Sequence, residues 1–444
     1  MLKCFMILFF GFLITCNSLA QTSKAWTLDD CIKYAEEHNI DVKKQSLSIE
    51  KSELELQDGK WAFVPSLSAS SSSTVSTGRV LDPTTYQFEQ TRFTSNSSSS
   101  LEGSIVLFEG GKKLYSLNRV KQSLRAAMLK DESVRNDLRI NIAAAYLDLL
   151  CAREQVATAR KSTELISEQL VRSQNLLDAG SITESDVLQL HSQLFAAEND
   201  VTSAIHSEKM ARLTLCDLLE IDEYDSFTVK EPLFQEDAVF ITDIENTIEN
   251  QPDYQLAIIN QNLAKTDYKI AKSSLYPTLS LSAGYGSSWS DARNRTIQNP
   301  DGTFRYEAYP FMAQYSDNAS AYLSFGLRIP ILTRLSSKNS SKRAQVTVRE
   351  AELATAETYK QLRKKIIQAQ IDCESAYDKY LKAQTEVRYA EEAYRQITEK
   401  YNLGTTDYLN WNTALVETAK ANYALIESRY AYVLKVEILK LYMH

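Results

Sequence analysis

Apolar residues along this chain follow two rhythms that take turns. In residues 111–179 they recur at steps of three and four, most cleanly at Leu138, Ile142, Ala145, Leu149, Ala152, Val156 and Ala159. Leu114, Leu117, Leu124 and Met128 precede that run, and Ile166, Leu170 and Leu177 extend it. This is the seam of a coiled coil, with Lys121, Asp131 and Arg135 as polar interruptions. Residues 112–179 contain neither glycine nor proline, and the same is true of residues 335–403. Each stretch therefore predicts one continuous helical rod, roughly 100 Å long at 1.5 Å per residue. Gly180 and Gly404 end the rods, and return helices are expected over residues 186–219 and 407–442.

The second rhythm has period two. Leu279, Leu281, Ala283, Tyr285 and Trp289 alternate with Ser280, Ser282, Gly284 and Gly286. Ala319, Ala321, Leu323, Phe325, Leu327 and Ile329 alternate with Ser320, Tyr322, Ser324, Gly326 and Arg328. One greasy face and one small polar face predict strands between apolar material and water. An earlier pair, beginning at Pro65 and at about Ser95, puts Leu67, Ala69 and Val75, then Leu101, Gly103, Ile105 and Leu107, on one side. The serine runs at 70–73 and 97–100 then read as small residues facing a pore, and Gly78, Asp82 and Pro83 as the loop between strands. Sandwich strands alternate in the same way. Strands of about ten residues with Tyr285 and Trp289 near one end shift the reading toward a membrane barrel. Ahead of each strand pair lies a helical segment, the first expected over residues 28–60 with Thr27 as N-cap.

The two halves repeat one plan. Residues 40 and 65 correspond to 252 and 277, an offset of 212; Leu107 and Gly180 correspond to Ile331 and Gly404, an offset of 224. The difference places a twelve-residue insertion in the loop over residues 290–318. A fixed offset broken only inside a loop indicates internal duplication. The chain divides into residues 21–219 (hairpin 65–108, rod 111–179, return helix 186–219), a connector at 220–240, and residues 241–444 (hairpin 277–331, rod 335–403, return helix 407–442). The fold class is mainly α with a small β part.

Four strands cannot close a barrel, and open edges cannot face lipid, where each unpaired backbone group costs several kcal/mol. Several protomers would have to share one barrel. Two copies give eight strands and three give twelve, both within the known range.

Composition narrows the rest. Lys and Arg total 49 against 57 Asp and Glu, without a basic stripe, which disfavours nucleic acid. Residues 1–20 read as a secretory signal: Lys3, an apolar run over 5–14, and Ser18-Leu19-Ala20 before the cleavage point. A lipidated variant would use Cys16 as acceptor. Cys31, Cys151, Cys216 and Cys373 show neither a disulfide framework nor a metal-ligand cluster and read as small buried residues on helices. No cofactor, metal site or catalytic residue is indicated. His38, His191, His206 and His444 lack zinc-site spacing, and Gly110-Gly111-Lys112 lacks the longer loop of a phosphate cradle.

Pro65-Ser66-Leu67-Ser68, Leu107-Phe108-Glu109-Gly110-Gly111, Gly180 through Asp186-Val187-Leu188, and Tyr401-Asn402-Leu403-Gly404 with Asp407-Tyr408-Leu409 stand in duplicated order. In that order they resemble the TolC-like outer-membrane efflux protein family, across essentially the whole mature chain. The resemblance implies a homotrimer, with two β-hairpins per chain contributing to a shared twelve-stranded barrel in outer-membrane lipid and with the rods forming a periplasmic α-barrel. It implies docking to a periplasmic adaptor (membrane fusion protein) and an inner-membrane pump at the Gly180 and Gly404 turns, and export of drugs, small molecules or proteins. By the same resemblance Asp186 and Asp407 line a closable aperture and Tyr401 helps hold it shut. Asn410 stands where a second acid is expected, and the second turn is short and lacks arginine. One carboxylate ring is therefore expected, rather than a network of ionic locks. Helix starts favour Asp in any case, so capping is a compatible second role. The rival classes are a periplasmic adaptor or coiled-coil scaffold and a self-inserting toxin.

Overall fold

The computed structural model describes residues 25–81, 88–180, 182–231, 243–332 and 335–443. The signal with Cys16, Asp82 and Pro83, Ser181, residues 232–240 of the connector and His444 lie outside the described residues. In chain order the elements are α1 (Leu28–His38), α2 (Ile40–Trp61), β1 (Ser66–Leu81), β2 (Phe88–Glu109), α3 (Lys112–Asp178), α4 (Glu184–Leu219), α5 (Ile244–Asn250), α6 (Pro252–Ser273), β3 (Thr278–Ser290), β4 (Asn294–Gln298), β5 (Phe304–Ala308), α7 (Phe311–Asp317), β6 (Ser320–Arg328), α8 (Ser336–Asn402) and α9 (Tyr408–Met443). The two rods are α3 and α8, of 67 residues each. Two compact units emerge. One holds the described residues of Met1–Lys43, Val134–Asp243 and Lys365–His444, the other those of Lys44–Ser133 and Ile244–Lys364. Each unit takes segments from both sequence halves, so the division in space crosses the repeats.

The segment expected as one helix over 28–60 is two. Thr27 caps α1 in a reciprocal box with Asp30, but the helix stops at Asn39, whose φ of −60° and ψ of 135° are extended. Asn39 Oδ1 accepts from the Asp41 N–H at 2.9 Å, and its Nδ2 donates to the Leu218 carbonyl at 3.1 Å. The break thus satisfies orphan groups at two helix ends. In the second half the same break falls before Pro252, which opens α6 where its missing N–H costs nothing.

In the first unit the seam is buried where its rhythm is cleanest. Ile142, Leu150, Leu215, Cys216 and Leu219 are fully enclosed, together with Cys31 of α1. The described start of the connector packs here too. Trp26 and Val229 form a parallel bridge, and the Tyr146 hydroxyl, deep in α3, donates to the carbonyls of Trp26 and Lys230. Arg153 adds a bond to the Val229 carbonyl at 2.9 Å. All four described cysteines are free; Cys31, Cys216 and Cys373 are buried and Cys151 half-buried. Burial, with Asp30 and Cys216 nearby, pushes the Cys31 thiol up to about 12, which keeps it unreactive.

The second unit carries a four-stranded antiparallel sheet in the order β1-β2-β3-β6. Five rows of paired residues cross all four strands, from Ser66–Ser104–Ser282–Ser324 to Ser70–Ser100–Gly286–Ser320. Alternate rows face opposite sides. One face carries Leu67, Leu101, Ala283, Tyr285 and Leu323, the other mostly serine and glycine. Leu323, Phe325 and Leu327 are 64–67 % exposed, so a broad apolar face is left uncovered.

Three details differ from expectation. Gly78 lies within β1, which runs on to Leu81, instead of in the loop. The serine runs do not share one face: Ser70, Ser71 and Ser72 pair in succession with Ser100, Ser99 and Ser98, each hydroxyl pair 2.9 Å apart, and so occupy both faces. Leu107 does not continue the apolar side, because a bulge between Val106 and Phe108 makes Phe108 the partner of Leu279.

The insertion between β3 and β6 has structure of its own. It holds the β4–β5 ribbon and α7. The Tyr315 hydroxyl lies 3.2 Å from the Ser97 and Ser99 hydroxyls, and the Ser287 hydroxyl donates to the Tyr315 carbonyl at 2.6 Å. Those serines share the face of Leu101 and Tyr285, and α7 covers them. Past the end of β6 the edge of β3 is capped by side-chain amides. Gln314 accepts from Ser290 N–H at 3.0 Å and donates to its carbonyl at 2.8 Å, and Asn318 donates to the Ser288 carbonyl at 2.7 Å. Edge groups that a strand would pair are occupied instead.

Candidate functional site

The turns that join each rod to its return helix lie in the first unit. Gly404 has φ +70° and Gly180 φ +73°, left-handed values that glycine adopts without strain. At the second turn Gly404 N–H donates to the Tyr401 carbonyl at 3.0 Å and Thr405 N–H to the Lys400 carbonyl at 2.9 Å. This pair of bonds closes the end of α8 as a Schellman motif. At the first turn Gly180 N–H donates to the Leu177 carbonyl at 2.8 Å.

Both aspartates cap the helices that follow. Thr183 is the N-cap of α4, and Asp186 completes its box: the Asp186 carboxylate accepts from the Thr183 hydroxyl at 2.8 Å and the Thr183 N–H at 3.1 Å. Asp407 precedes α9 and accepts from the Asn410 N–H at 2.9 Å, while the Asn410 amide donates to the Thr406 hydroxyl at 3.3 Å. Asp407 and Asn410 are exposed and Asp186 half-buried.

Behind the turns sits an aromatic cluster built on a residue that motif reading passed over. Trp411 is 1 % exposed, with ring centroids of Tyr401, Tyr408 and Tyr394 at 5.7, 6.1 and 6.3 Å. Ile166, Leu190 and Leu415 complete the cluster. The signal was in the spacing: Tyr394 and Tyr401 lie one heptad apart, and Tyr408, Trp411 and Leu415 follow steps of three and four on α9. Tyr401, the aromatic expected to hold the turns together, stacks on Trp411 at an interplanar angle of 25°.

The Tyr408 hydroxyl donates to Gln193 Oε1 at 2.5 Å. Burial, then the neighbouring Tyr401 and Asp186, pushes the Tyr408 phenol up to about 12 from its ordinary 10.0. The unfolded chain therefore gives up this proton first. The stability Tyr408 supplies is whole below pH 10 and drains away as pH rises through 12. Wild-type protein is expected to lose more thermal stability across that window than Tyr408→Phe, and equal losses in the two would show that Tyr408 is not the titrating group.

Among the described residues no group of three or more His, Cys, Asp or Glu side chains could hold a metal ion, and no helix is long and apolar enough to cross a membrane. His38 stacks on Tyr34 with centroids 4.0 Å apart and bonds the Tyr34 carbonyl through Nδ1 at 2.9 Å, a local role. What remains as functional surface is the turn region and the two-faced sheet.

The sequence profile of the outer membrane efflux protein family matches this chain twice in succession, over residues 31–219 and 244–443. Outer membrane protein TolC of Vibrio cholerae is 21 % identical over 334 residues, covering 72 % of this chain and 70 % of that protein. Among solved structures CusC superposes with a TM-score of 0.81 at 15 % identity, covering 94 % of this chain and 91 % of its own. The Campylobacter jejuni CmeC outer membrane channel gives 0.79 at 16 %, covering 94 % and 85 %. The chain belongs to the outer membrane efflux protein family: it is an efflux channel of the outer membrane with a long helical periplasmic extension.

Proposed function

We propose that three copies of this chain close a shared twelve-stranded barrel, and that their rods line a conduit from the periplasm to the exterior. The observation that carries this reading is the sheet. Among the described residues it has four strands, both outer strands lack a partner on one side, and one face is apolar. Such a sheet is unstable in lipid until its edges are paired, and barrels close with even strand numbers. An adaptor or scaffold has no use for an uncovered apolar sheet, so that rival loses its support. A heat-modifiable trimer in detergent extracts of the outer membrane is expected; a soluble periplasmic monomer would sink the reading.

In this reading the turns at Gly180 and Gly404 form the periplasmic aperture and the docking surface for an adaptor coupled to an inner-membrane pump. Leu403 and Leu409, both exposed beside the second turn, and Leu188 beside the first, offer apolar contact there. Asp186 and Asp407 supply the charge, Tyr401 the packing that holds the turns closed, and Asn410 a neutral partner to Asp407. The cargo is drugs, other small molecules or proteins.

Charge and capping can be separated. Asp186→Ala with Asp407→Ala removes both, at about 1 kcal/mol per lost cap, and is expected to raise single-channel conductance and antibiotic sensitivity. Asp186→Asn with Asp407→Asn keeps a capping side chain at 407 and should lower cation preference with conductance near wild type. Unchanged conductance and sensitivity in the alanine pair would discard the gating role.

A further inference from the structure

The serine- and glycine-rich face of the sheet carries one row unlike its neighbours. Ser68, Glu102, Gly284 and Tyr322 are paired in register across β1, β2, β3 and β6 and therefore share one level and one face. The rows two residues to either side are Ser66–Ser104–Ser282–Ser324 and Ser70–Ser100–Gly286–Ser320. Among the described four-strand rows, Glu102 is the one carboxylate, and Tyr322 is the one ring on this face.

The tyrosine does not stand upright over its own strand. A Cβ placed on Gly284 would lie 2.7 Å from Tyr322 Cζ and 2.9 Å from its Oη. The phenol therefore lies across β3, over the space that glycine leaves open and toward the strand that bears Glu102. Any larger residue at 284 would evict it.

The side of the wall follows from the opposite face. Leu67–Gly103–Ala283–Leu323 and Ala69–Leu101–Tyr285–Ala321 are the intervening rows, and they are apolar. Transmembrane strands turn apolar residues to lipid and polar ones to the lumen, so the face of Glu102 is the water side. Glu102 and Tyr322 are both exposed on it.

We infer that Glu102 and Tyr322 form a charge-selecting belt inside the barrel, which favours cationic solutes and disfavours anions. The inference rests on the shared-barrel reading above. Threefold repetition sets three carboxylates and three phenol rings at one level, flanked on either side by the rows of hydroxyls and hydrogens. Carboxylates confined in a low-dielectric cylinder concentrate cations and repel anions. An aromatic face beside them adds attraction for organic cations. The belt lies in the sheet unit and involves none of the turn carboxylates, so it forms a second filter in the same path.

The test uses the full-length protein in planar bilayers under a potassium chloride gradient. Glu102→Gln is measured in the wild-type background and in the Asp186→Asn, Asp407→Asn background, which removes the charge of the turns. The potassium-to-chloride permeability ratio is expected to fall by at least about threefold in the second background, while Glu102→Asp keeps it. Tyr322→Ser should raise conductance and weaken block by a tetraalkylammonium ion. A heat-modifiable oligomer at wild-type level shows that each variant is assembled. If wild-type protein conducts and Glu102→Gln leaves the ratio unchanged in both backgrounds, the belt is refuted and the channel stands. If assembled wild-type protein gives no discrete conductance, the channel reading falls and the belt with it.

Discussion

Trp411→Ala is expected to leave the channel assembled but unable to keep its turns closed. Among the described residues the indole is the largest fully buried side chain, and three tyrosine rings surround it within 6.3 Å. Truncating a buried aromatic to alanine costs about 3–5 kcal/mol. The cluster lies at the far end of the rods' sequence from the sheet, so the loss falls on the turn region and spares the barrel strands. Conductance and sensitivity to bulky antibiotics should both rise, with the oligomer still present in outer-membrane extracts. Trp411→Phe is the discriminating control. Trp411 Nε1 is buried without a hydrogen-bond partner among the described residues, so phenylalanine removes no bond and relieves an unsatisfied donor. It should behave nearly as wild type. If both variants are silent, the cluster does not hold the turns.

Gly110→Val is expected to abolish assembly. Gly110 sits where β2 hands over to α3, with φ at +64°. A Cβ there would meet Tyr276 Cβ at 2.8 Å and the Ser273 carbonyl oxygen at 2.9 Å. The left-handed backbone alone costs a side chain roughly 1–2 kcal/mol, and forced overpacking about 1–3 kcal/mol more. Neither contact is the tip of a flexible side chain, so neither can step aside. Gly302→Ala isolates the first cost: φ is +86° but nothing lies within 4 Å of the added Cβ. Heat-modifiable oligomer in outer-membrane extracts should vanish for Gly110→Val and persist for Gly302→Ala. Normal oligomer in the first would mean that the strand-to-helix joint tolerates a side chain.

Much of this architecture was legible from residue pattern alone, and the reasons are physical. Long helices announce themselves where nothing interrupts them, and α3 and α8 begin and end within a residue or two of the glycine- and proline-free stretches. The break at Asn39 was hidden because no proline or glycine marks it; it depends on the Leu218 carbonyl, which lies 179 positions away. The repeat contained the missing clue, since Pro252 punctuates the corresponding break. Capping by Asp186 could be read from Thr183 three positions earlier. Trp411 belongs to no motif, and only the spacing of Tyr408, Trp411 and Leu415 marks its place. The helix α7 gives too short a signal to detect: seven residues with one buried glutamine show no period. The bulge at Leu107 swaps the faces of a strand by one residue, which alternation alone cannot foresee.

The amide-capped stretch of β3 bears on how the protein reaches its destination. A newly exported chain crosses an aqueous compartment before insertion, with unfinished sheet borders that other copies could join in the wrong alignment. Gln314 and Asn318 fill hydrogen-bonding positions beyond the nine residues of β6, so a stray strand finds nothing to grip there.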